Sequence, residues 1–125
     1  MFLLGPAEPE QREVNVTVRV IDGTSGRPAE GVKAAVVNAP AGGPSTRIDG
    51  LTDAEGRFTC RPDADLRANS TLYSIELDVD AYFISMGIAA GYKQTAFLAR
   101  IDRLEIDYLI EVFITPFGHA TWNVK

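Results

Sequence analysis

Three side chains in this sequence have the chemistry to bind and transform a small anion: Arg19, Arg57 and Glu111. A guanidinium group donates paired hydrogen bonds to a carboxylate, phosphate or enolate, and two of them together suit such a ligand. A carboxylate beside them acts either as a general base or as an ion-pair partner of an arginine. Trp122 adds a flat aromatic surface that suits a ring or a cation. Which of these roles applies depends on the elements that hold the residues.

A two-residue period dominates the chain and places Arg19 on a strand. Valine occupies every second position from Val14 to Val20, so Arg19 and Ile21 point away from the valine face. Short strands with turn residues between them predict an all-β protein, an antiparallel sandwich or barrel. The only predicted helix runs from Asp80 to Met86, with a loop as the alternative. The eight predicted strands lie near residues 14–21, 32–37, 45–52, 57–60, 72–79, 94–101, 107–115 and 118–124.

The seventh predicted strand has apolar residues on both faces. Its even-numbered residues form one apolar face, and the other face carries Leu109, Glu111 and Phe113. A face open to solvent rarely carries leucine and phenylalanine on either side of one carboxylate. A subunit interface or a ligand groove therefore explains this face better than solvent does. Burial on both sides within a wider sandwich is the alternative.

The composition excludes several classes of protein. With 125 residues, 46% of them hydrophobic and 23% charged, the chain describes one globular domain. No apolar run approaches the roughly 20 residues of a membrane span. The net charge is −5 and no basic stripe is visible, so we expect neither a membrane nor a nucleic acid as a partner.

Single cysteine and histidine residues limit the metal and redox chemistry. Cys60 has no second cysteine for an internal disulfide, and we interpret it as a small buried hydrophobe. His119 is interpreted as a structural or surface residue, with acid–base catalysis as the alternative. No His/Cys cluster or ligand-dense loop is visible, so we expect no metal and no cofactor.

The amino terminus is predicted to be a flexible tail over residues 1–12, followed by one domain over residues 13–125. Pro6 and Pro9 favour an extended chain, and the apolar start at residues 1–4 is too short for a secretory signal. We therefore expect a cytoplasmic location.

Four motifs stand out along the chain, at residues 18–22 with 26–32, 52–57, 73–78 followed by 81–83, and 115–121. Together they resemble the transthyretin and 5-hydroxyisourate hydrolase family. They match the family's opening strand and turn, its central turn, its fifth strand with the short helix, and its closing Ser-Pro-Tyr/Phe-Gly-Tyr-Ser-Thr stretch. The resemblance implies a transthyretin-like eight-stranded antiparallel β-sandwich with one short helix, in agreement with the periodicity.

The resemblance also implies an assembly and a site. Family members would form a homotetramer, a dimer of dimers, in which the outer faces of the first, seventh and eighth strands meet across a central channel. Hydrolase members use this channel as the active site, and transthyretin carries an aromatic hormone in it. The candidate catalytic residues are then Arg19, Arg57 and Glu111. The candidate ligand-binding residues are Leu109, Phe113, Trp122 and Lys125.

The chain departs from the hydrolases at most of the positions that carry their catalysis. Arg57 matches a family arginine, but Arg19 and Leu109 stand where the hydrolases have histidines, and residues 122–125 replace their Tyr-Arg-Gly-Ser ending. Imidazoles can move protons near neutral pH, whereas leucine cannot and arginine stays protonated. We therefore predict an enzyme that acts on a different small cyclic, anionic substrate by ring opening, ring closing or proton transfer. The alternatives are a non-catalytic small-ligand-binding protein like transthyretin and a structural interaction module.

Overall fold

The computed structural model describes residues 15–39, 43–68, 70–91, 93–101 and 107–124. Within these ranges it is mostly β, and the predicted all-β sandwich is confirmed. All eight predicted strands are present within one or two residues of their predicted ends. The strands are β1 (Val16–Asp22), β2 (Arg27–Pro28), β3 (Lys33–Asn38), β4 (Thr46–Leu51), β5 (Arg57–Cys60), β6 (Leu72–Asp78), β7 (Gln94–Arg100), β8 (Tyr108–Thr115) and β9 (Gly118–Val124). The helices are α1 (Pro62–Leu66) and α2 (Val79–Ile84).

Two sheets pack face to face. The first sheet has the order β2-β1-β8-β9, with β5 also paired to β1, and the second has the order β4-β3-β6-β7. Every pair between described strands is antiparallel except β1 with β8, which is parallel. A parallel pair needs a long crossover, and here the whole second sheet lies between the two strands in sequence.

The core lies between the sheets and follows the two-residue period. The valines of β1 from Val16 to Val20 are fully buried, and they meet the even-numbered residues of β8 and the odd-numbered residues of β6. Cys60 also belongs to this core, as the sequence predicted, and so does Tyr108. The odd-numbered residues of β1 and β8 therefore point out of the sandwich.

Two details differ from the sequence-based expectations. The connection between the fourth and fifth predicted strands contains α1, a helix that the sequence pattern did not predict. Pro62 begins this helix, the carboxylate of Asp65 accepts a hydrogen bond from the backbone N of Arg61 at 2.7 Å, and Leu66 is buried. A helix of five residues is too short to show a helical period in sequence. The second addition is β2, a two-residue strand in a stretch that the sequence marks as a turn.

The predicted helix is present as α2. It begins one residue earlier than predicted and is capped by Asp78, whose Oδ1 accepts a hydrogen bond from the backbone N of Ala81 at 3.0 Å. Gly87 follows the helix with a φ of 78°, a conformation that glycine adopts at little cost. Val79 and Phe83 turn inward and join the core.

Asp22 links the end of β1 to α2. It is buried, and its carboxylate accepts hydrogen bonds from the backbone N and Oγ1 of Thr24 and from the Oη of Tyr82, at 2.9, 2.6 and 2.9 Å. Burial on its own would raise the pKa of Asp22, but the hydrogen bonds from Thr24 and Tyr82 outweigh it and lower the pKa below its ordinary value. Burial, together with the bond to Asp22, raises the pKa of Tyr82 to about 12.

Replacing Tyr82 by phenylalanine is expected to lower the free energy of unfolding by about 1–2 kcal/mol near neutral pH, because Asp22 loses a donor. The pKa of Asp22 is lower in the folded state than the ordinary 3.8, so its contribution is present above that pH and is lost as the pH falls through the folded-state value. The difference in unfolding free energy between the wild type and Tyr82→Phe should therefore become smaller at acidic pH. Thermal unfolding of both proteins at acidic and neutral pH measures this difference. A difference that is the same at both pH values would contradict a stabilising hydrogen bond from Tyr82 to the Asp22 carboxylate.

Candidate functional site

The strand register brings three predicted site residues into one row on the outer face of the first sheet. Arg19 of β1 lies opposite Arg57 of β5 on one side and opposite Glu111 of β8 on the other. Glu111 is in turn the register partner of Trp122 in β9, for which the structure describes the backbone alone. Directly opposed residues of neighbouring strands share a face of the sheet, so the charged side chains from β5, β1 and β8 are neighbours.

Arg19 and Glu111 form an ion pair inside one chain. Arg19 Nη1 lies 2.8 Å from Glu111 Oε2, and Arg19 Nε donates to the carbonyl oxygen of Glu55 at 3.4 Å. The two side chains are 30% and 18% exposed, so water screens the pair only partly. The sequence analysis left open an ion-pair role for these residues, and the structure places both partners on adjacent strands of the same subunit. Arg19 is thus held in place beside Arg57, and Glu111 balances one of two neighbouring positive charges.

A double-mutant cycle should measure this pair. We expect Arg19→Gln and Glu111→Gln to show a coupling free energy of about 0.5–1 kcal/mol in urea unfolding, the range for partly exposed pairs. The coupling should decrease in concentrated salt, because salt screens exposed charges. The matched control is the more exposed pair Arg47 and Asp49, at 50% and 65% exposure, which should couple more weakly. Equal coupling free energies in the two pairs would contradict the expectation that the less exposed pair, Arg19 and Glu111, couples more strongly.

Hydrogen bonds hold the backbone of Arg57 in place, whereas its guanidinium group pairs with no residue that the structure describes. The turn before it is closed by Asp53, whose backbone N donates to the carbonyl oxygen of Arg57 and whose Oδ1 accepts from the backbone N of Arg57, both at 2.9 Å. Gly56 allows the turn with a φ of 77°. The guanidinium group of Arg57 makes no hydrogen bond or ion pair with any residue that the structure describes. An anchored arginine with its donors open to solvent is suited to hold an anion.

A cavity of about 380 Å³ lies beside Arg57 on this outer face. Thr17 and Thr59 line it, and their Oγ1 atoms are 2.9 Å apart. Leu109 forms part of the wall, and Asp107 contributes a carboxylate, whose Oδ1 accepts a hydrogen bond from the backbone N of Asn15 at 3.0 Å. The cavity therefore combines a cation, two hydroxyl groups, an apolar wall and a carboxylate.

Among the residues of this cavity, sequence reasoning missed Thr17, Thr59 and Asp107. Thr17 shares the outer face of the first strand with Arg19, so the alternation could have found it. Asp107 could have been found in the same way, because it alternates in step with Leu109. The position of Thr59 opposite Thr17 required the register of β5 against β1.

The apolar residues predicted for the site flank the charged row. Leu109 and Phe113 lie half-buried on the face opposite the core, on either side of Glu111. Their partners in β1 are Thr17 and Ile21, and Ile21 is 5% exposed. Apolar and charged rows thus alternate down the outer face.

Two further predicted residues receive no side-chain description. Lys125 lies outside the described residues. For His119 the structure describes the backbone, which pairs with Ile114 in the sheet. Their proposed roles therefore stay predictions.

A second cavity, of about 530 Å³, lies on the outer face of the second sheet. Its arginine, Arg47, is already bound by two carboxylates, with Nε 3.0 Å from Asp49 Oδ1 and Nη1 3.0 Å from Glu76 Oε1. Those hydrogen bonds raise the pKa of Arg47 above its ordinary value. Although this cavity is the larger one, its arginine is already satisfied by neighbouring side chains, so the face that carries Arg57 is the better candidate for an anion site.

The described residues contain no cluster of three or more His, Cys, Asp or Glu side chains arranged to hold a metal ion. Over the same part of the chain, no helix has the length and apolar character needed to cross a membrane.

The fold and the outer-face site define a two-sheet sandwich of the transthyretin type. The sequence matches the profile described as Transthyretin, HIUase/Transthyretin family, over residues 16–123. The chain belongs to this family.

Individual relatives agree with this membership. A protein of Schizosaccharomyces pombe named "Probable 5-hydroxyisourate hydrolase" is 27% identical over 119 residues, which cover 92% of this chain and 94% of that protein. The 5-hydroxyisourate hydrolase of Klebsiella pneumoniae superposes with a TM-score of 0.71 at 20% identity, covering 90% of this chain and 99% of that one. Transthyretin from Sparus aurata gives a TM-score of 0.72 at 24% identity, covering 87% and 95%. The two structural matches show the shared fold.

Proposed function

We propose that this protein is a divergent, hydroxyisourate-hydrolase-like enzyme that acts on a small cyclic anion other than 5-hydroxyisourate. The observation that carries the proposal is the guanidinium group of Arg57, which pairs with no described residue and lies beside a cavity of about 380 Å³, on the same face as Glu111. The similarity to a probable 5-hydroxyisourate hydrolase supports chemistry on a small ring. Arg19 and Leu109, at the two positions where the hydrolases have histidines, argue for a different substrate.

Each polar group has a role in this proposal. Arg57 binds the anionic substituent of the ring. Glu111, held through Oε2 by Arg19, uses its other oxygen to take a proton from a water molecule as that water attacks a ring carbonyl carbon. The carbon–nitrogen bond of the ring then breaks, and the proton passes from Glu111 to the departing nitrogen. Arg19 acts as a positioning residue, because it fixes the carboxylate without touching the ring.

The apolar part of the face suggests how the site is completed. Leu109 and Phe113 lie on the surface that, in the proposed homotetramer, a second copy of the chain would cover. Covering this face would remove apolar surface from water and exclude bulk water from the reacting groups. The partners we propose are therefore a small-molecule substrate and further copies of the same chain. Cys60, a free buried thiol, is consistent with the cytoplasmic location that we propose.

A substrate panel with an assembly measurement tests the proposal. Native mass spectrometry gives the number of subunits and any retained ligand, and NMR follows ring opening of hydantoin-5-acetate, dihydroorotate, pyroglutamate and 5-hydroxyisourate. We expect a tetramer that opens one of the first three rings and spares 5-hydroxyisourate. Efficient turnover of 5-hydroxyisourate would show instead that the family reaction survives without the two histidines. A monomer without activity would favour a structural interaction module.

A non-catalytic ligand-binding protein is the second candidate, because Arg19 and Glu111 neutralise each other. In that case the tetramer retains a small anion that survives purification unchanged, and Glu111→Gln leaves its affinity intact. Loss of turnover in Glu111→Gln with unchanged substrate affinity supports the enzyme instead.

A further inference from the structure

Two threonine hydroxyl groups lie side by side in the cavity next to Arg57. Thr17 of β1 and Thr59 of β5 are direct register partners, so both side chains point out of the sandwich on the same face. Their Oγ1 atoms are 2.9 Å apart, and both residues line the cavity of about 380 Å³. The structure gives neither hydroxyl group any other hydrogen bond with the residues that it describes. The pair is therefore available to a ligand.

The bond between the two hydroxyl groups decides what they offer to that ligand. A hydroxyl group has one donor and two acceptor lone pairs. One of the two groups donates to the other, and either can be the donor, so the pair keeps one free O–H group and a free lone pair on the neighbouring oxygen. The ligand thus meets a donor and an acceptor side by side. A ligand edge with two acceptors would find only one donor as long as the hydroxyl groups stay bonded to each other.

The matching ligand edge carries an acceptor and a donor on adjacent atoms, as a cis amide does. The oxygen and nitrogen atoms of an amide are about 2.3 Å apart, so both can reach oxygens that are 2.9 Å apart. An open-chain secondary amide is almost always trans, with its N–H and C=O groups pointing in opposite directions, whereas a small ring holds the amide cis. We therefore propose that Thr17 and Thr59 are specificity-determining residues that select a ring amide.

The position of Arg57 relative to the threonine pair orients such a ligand. Arg57 and Thr59 are two residues apart in β5, so their side chains leave the same face about 7 Å apart along the strand. A single ring with an anionic group opposite its amide edge spans a distance of this order, and Leu109 provides an apolar wall. The inference rests on the proposed function and deepens it, because it adds to the anion contact the ring edge that the site recognises.

Two matched probes test this inference on the full-length protein. In 6-oxo-1,6-dihydropyridine-3-carboxylate a ring amide lies across the ring from a carboxylate, and the N-methyl derivative has a methyl group in place of the N–H hydrogen. In isothermal titration calorimetry we expect the unmethylated probe to bind the wild type about tenfold more tightly, because it alone completes both hydrogen bonds. In the double variant with Thr17→Val and Thr59→Val this preference should disappear, since valine keeps the branched shape and has no hydroxyl group.

The matched control is Thr46→Val, which removes a hydroxyl group from β4 in the second sheet, outside the cavity, and should keep the preference. Equal binding of the two probes to the wild type would overturn the proposal, whatever the folding of any variant. A preference that survives in the double variant would overturn it as well, because shape alone would then exclude the methyl group.

Benzoate and the variant Arg57→Gln distinguish a failure of this inference from a failure of the proposed function. Benzoate has the ring and the carboxylate without the amide, so it should bind the wild type and the double threonine variant equally. Benzoate binding that depends on Arg57, together with equal binding of the two amide probes, would keep the anion site and overturn the role of the threonine pair. Unchanged binding in Arg57→Gln would overturn the anion site, and binding of no probe to the wild type would overturn both proposals.

Discussion

Replacing Arg57 by glutamine is expected to lower kcat/KM by about 100-fold on the substrate that the panel identifies. A charged hydrogen bond to a ligand contributes about 1.5–3 kcal/mol, and the upper part of that range corresponds to two factors of ten in rate. Because the guanidinium group of Arg57 holds no described residue, the melting temperature should change little. Steady-state kinetics and thermal unfolding of the same preparation measure the two effects.

The matched control for this variant is Arg27→Gln. Arg27 is an exposed arginine on β2, away from the cavity, and its replacement makes the same change in net charge. An equal loss of activity in both variants would indicate a general electrostatic effect. A fall in melting temperature of Arg57→Gln that matches its loss of activity would show that Arg57 stabilises the fold and does not bind the ligand.

Replacing Gly56 by alanine is expected to lower the free energy of unfolding by about 3 kcal/mol. The residue has a φ of 77°, and a Cβ there would clash with the carbonyl oxygen of Val20 in the central strand. A left-handed backbone costs alanine about 1–2 kcal/mol, and relief of the clash must move β1 or the turn. Since this turn positions Arg57, ligand binding should weaken as well. Urea unfolding and ligand titration measure the two losses.

The variant Gly26→Ala distinguishes the cost of the left-handed backbone from the cost of the clash with Val20. Gly26 has nearly the same φ, 76°, but a Cβ there would meet no atom within 4 Å. This variant should therefore lose only the conformational part, about 1–2 kcal/mol, and keep its ligand affinity. If the two variants are destabilised equally, the close approach of Gly56 to Val20 has no energetic effect.

Much of the fold was predictable because β1, β6 and β8 each bury one face. The alternating valines from Val16 to Val20 define β1 without any tertiary information, and the same rule gave β8 and β9. The helix α1 could not be found this way, because five residues around Pro62 contain too little of a helical period. The buried side chains of Pro62 and Leu66 fix that segment against the rest of the protein.

The candidate site was only partly predictable, because alternation assigns a face and does not assign a neighbour. It placed Arg19, Leu109 and Glu111 on outer faces, and the structure agrees. The pairing of Arg19 with Glu111 in one chain depends on the parallel register of β1 with β8, which brings together residues 92 positions apart. A local sequence pattern cannot predict a contact between residues so far apart in the chain. The cavity lined by Arg57 and Asp107 could not be predicted for the same reason, because strands distant in sequence form it.

The parallel pairing of β1 with β8 also fixes when the site can form. During synthesis β1 is among the first strands to emerge, but its neighbour β8 is completed only after the whole second sheet has been made. Closing a loop of this length costs conformational entropy before stabilising contacts between the two strands have formed. Long-range pairings of this kind therefore form slowly. Until then one edge of β1 is without its partner and its backbone groups are open to other chains. The candidate anion site is therefore absent from the nascent protein until β8 has been made, and β1, the central strand of that site, needs protection from aggregation until then.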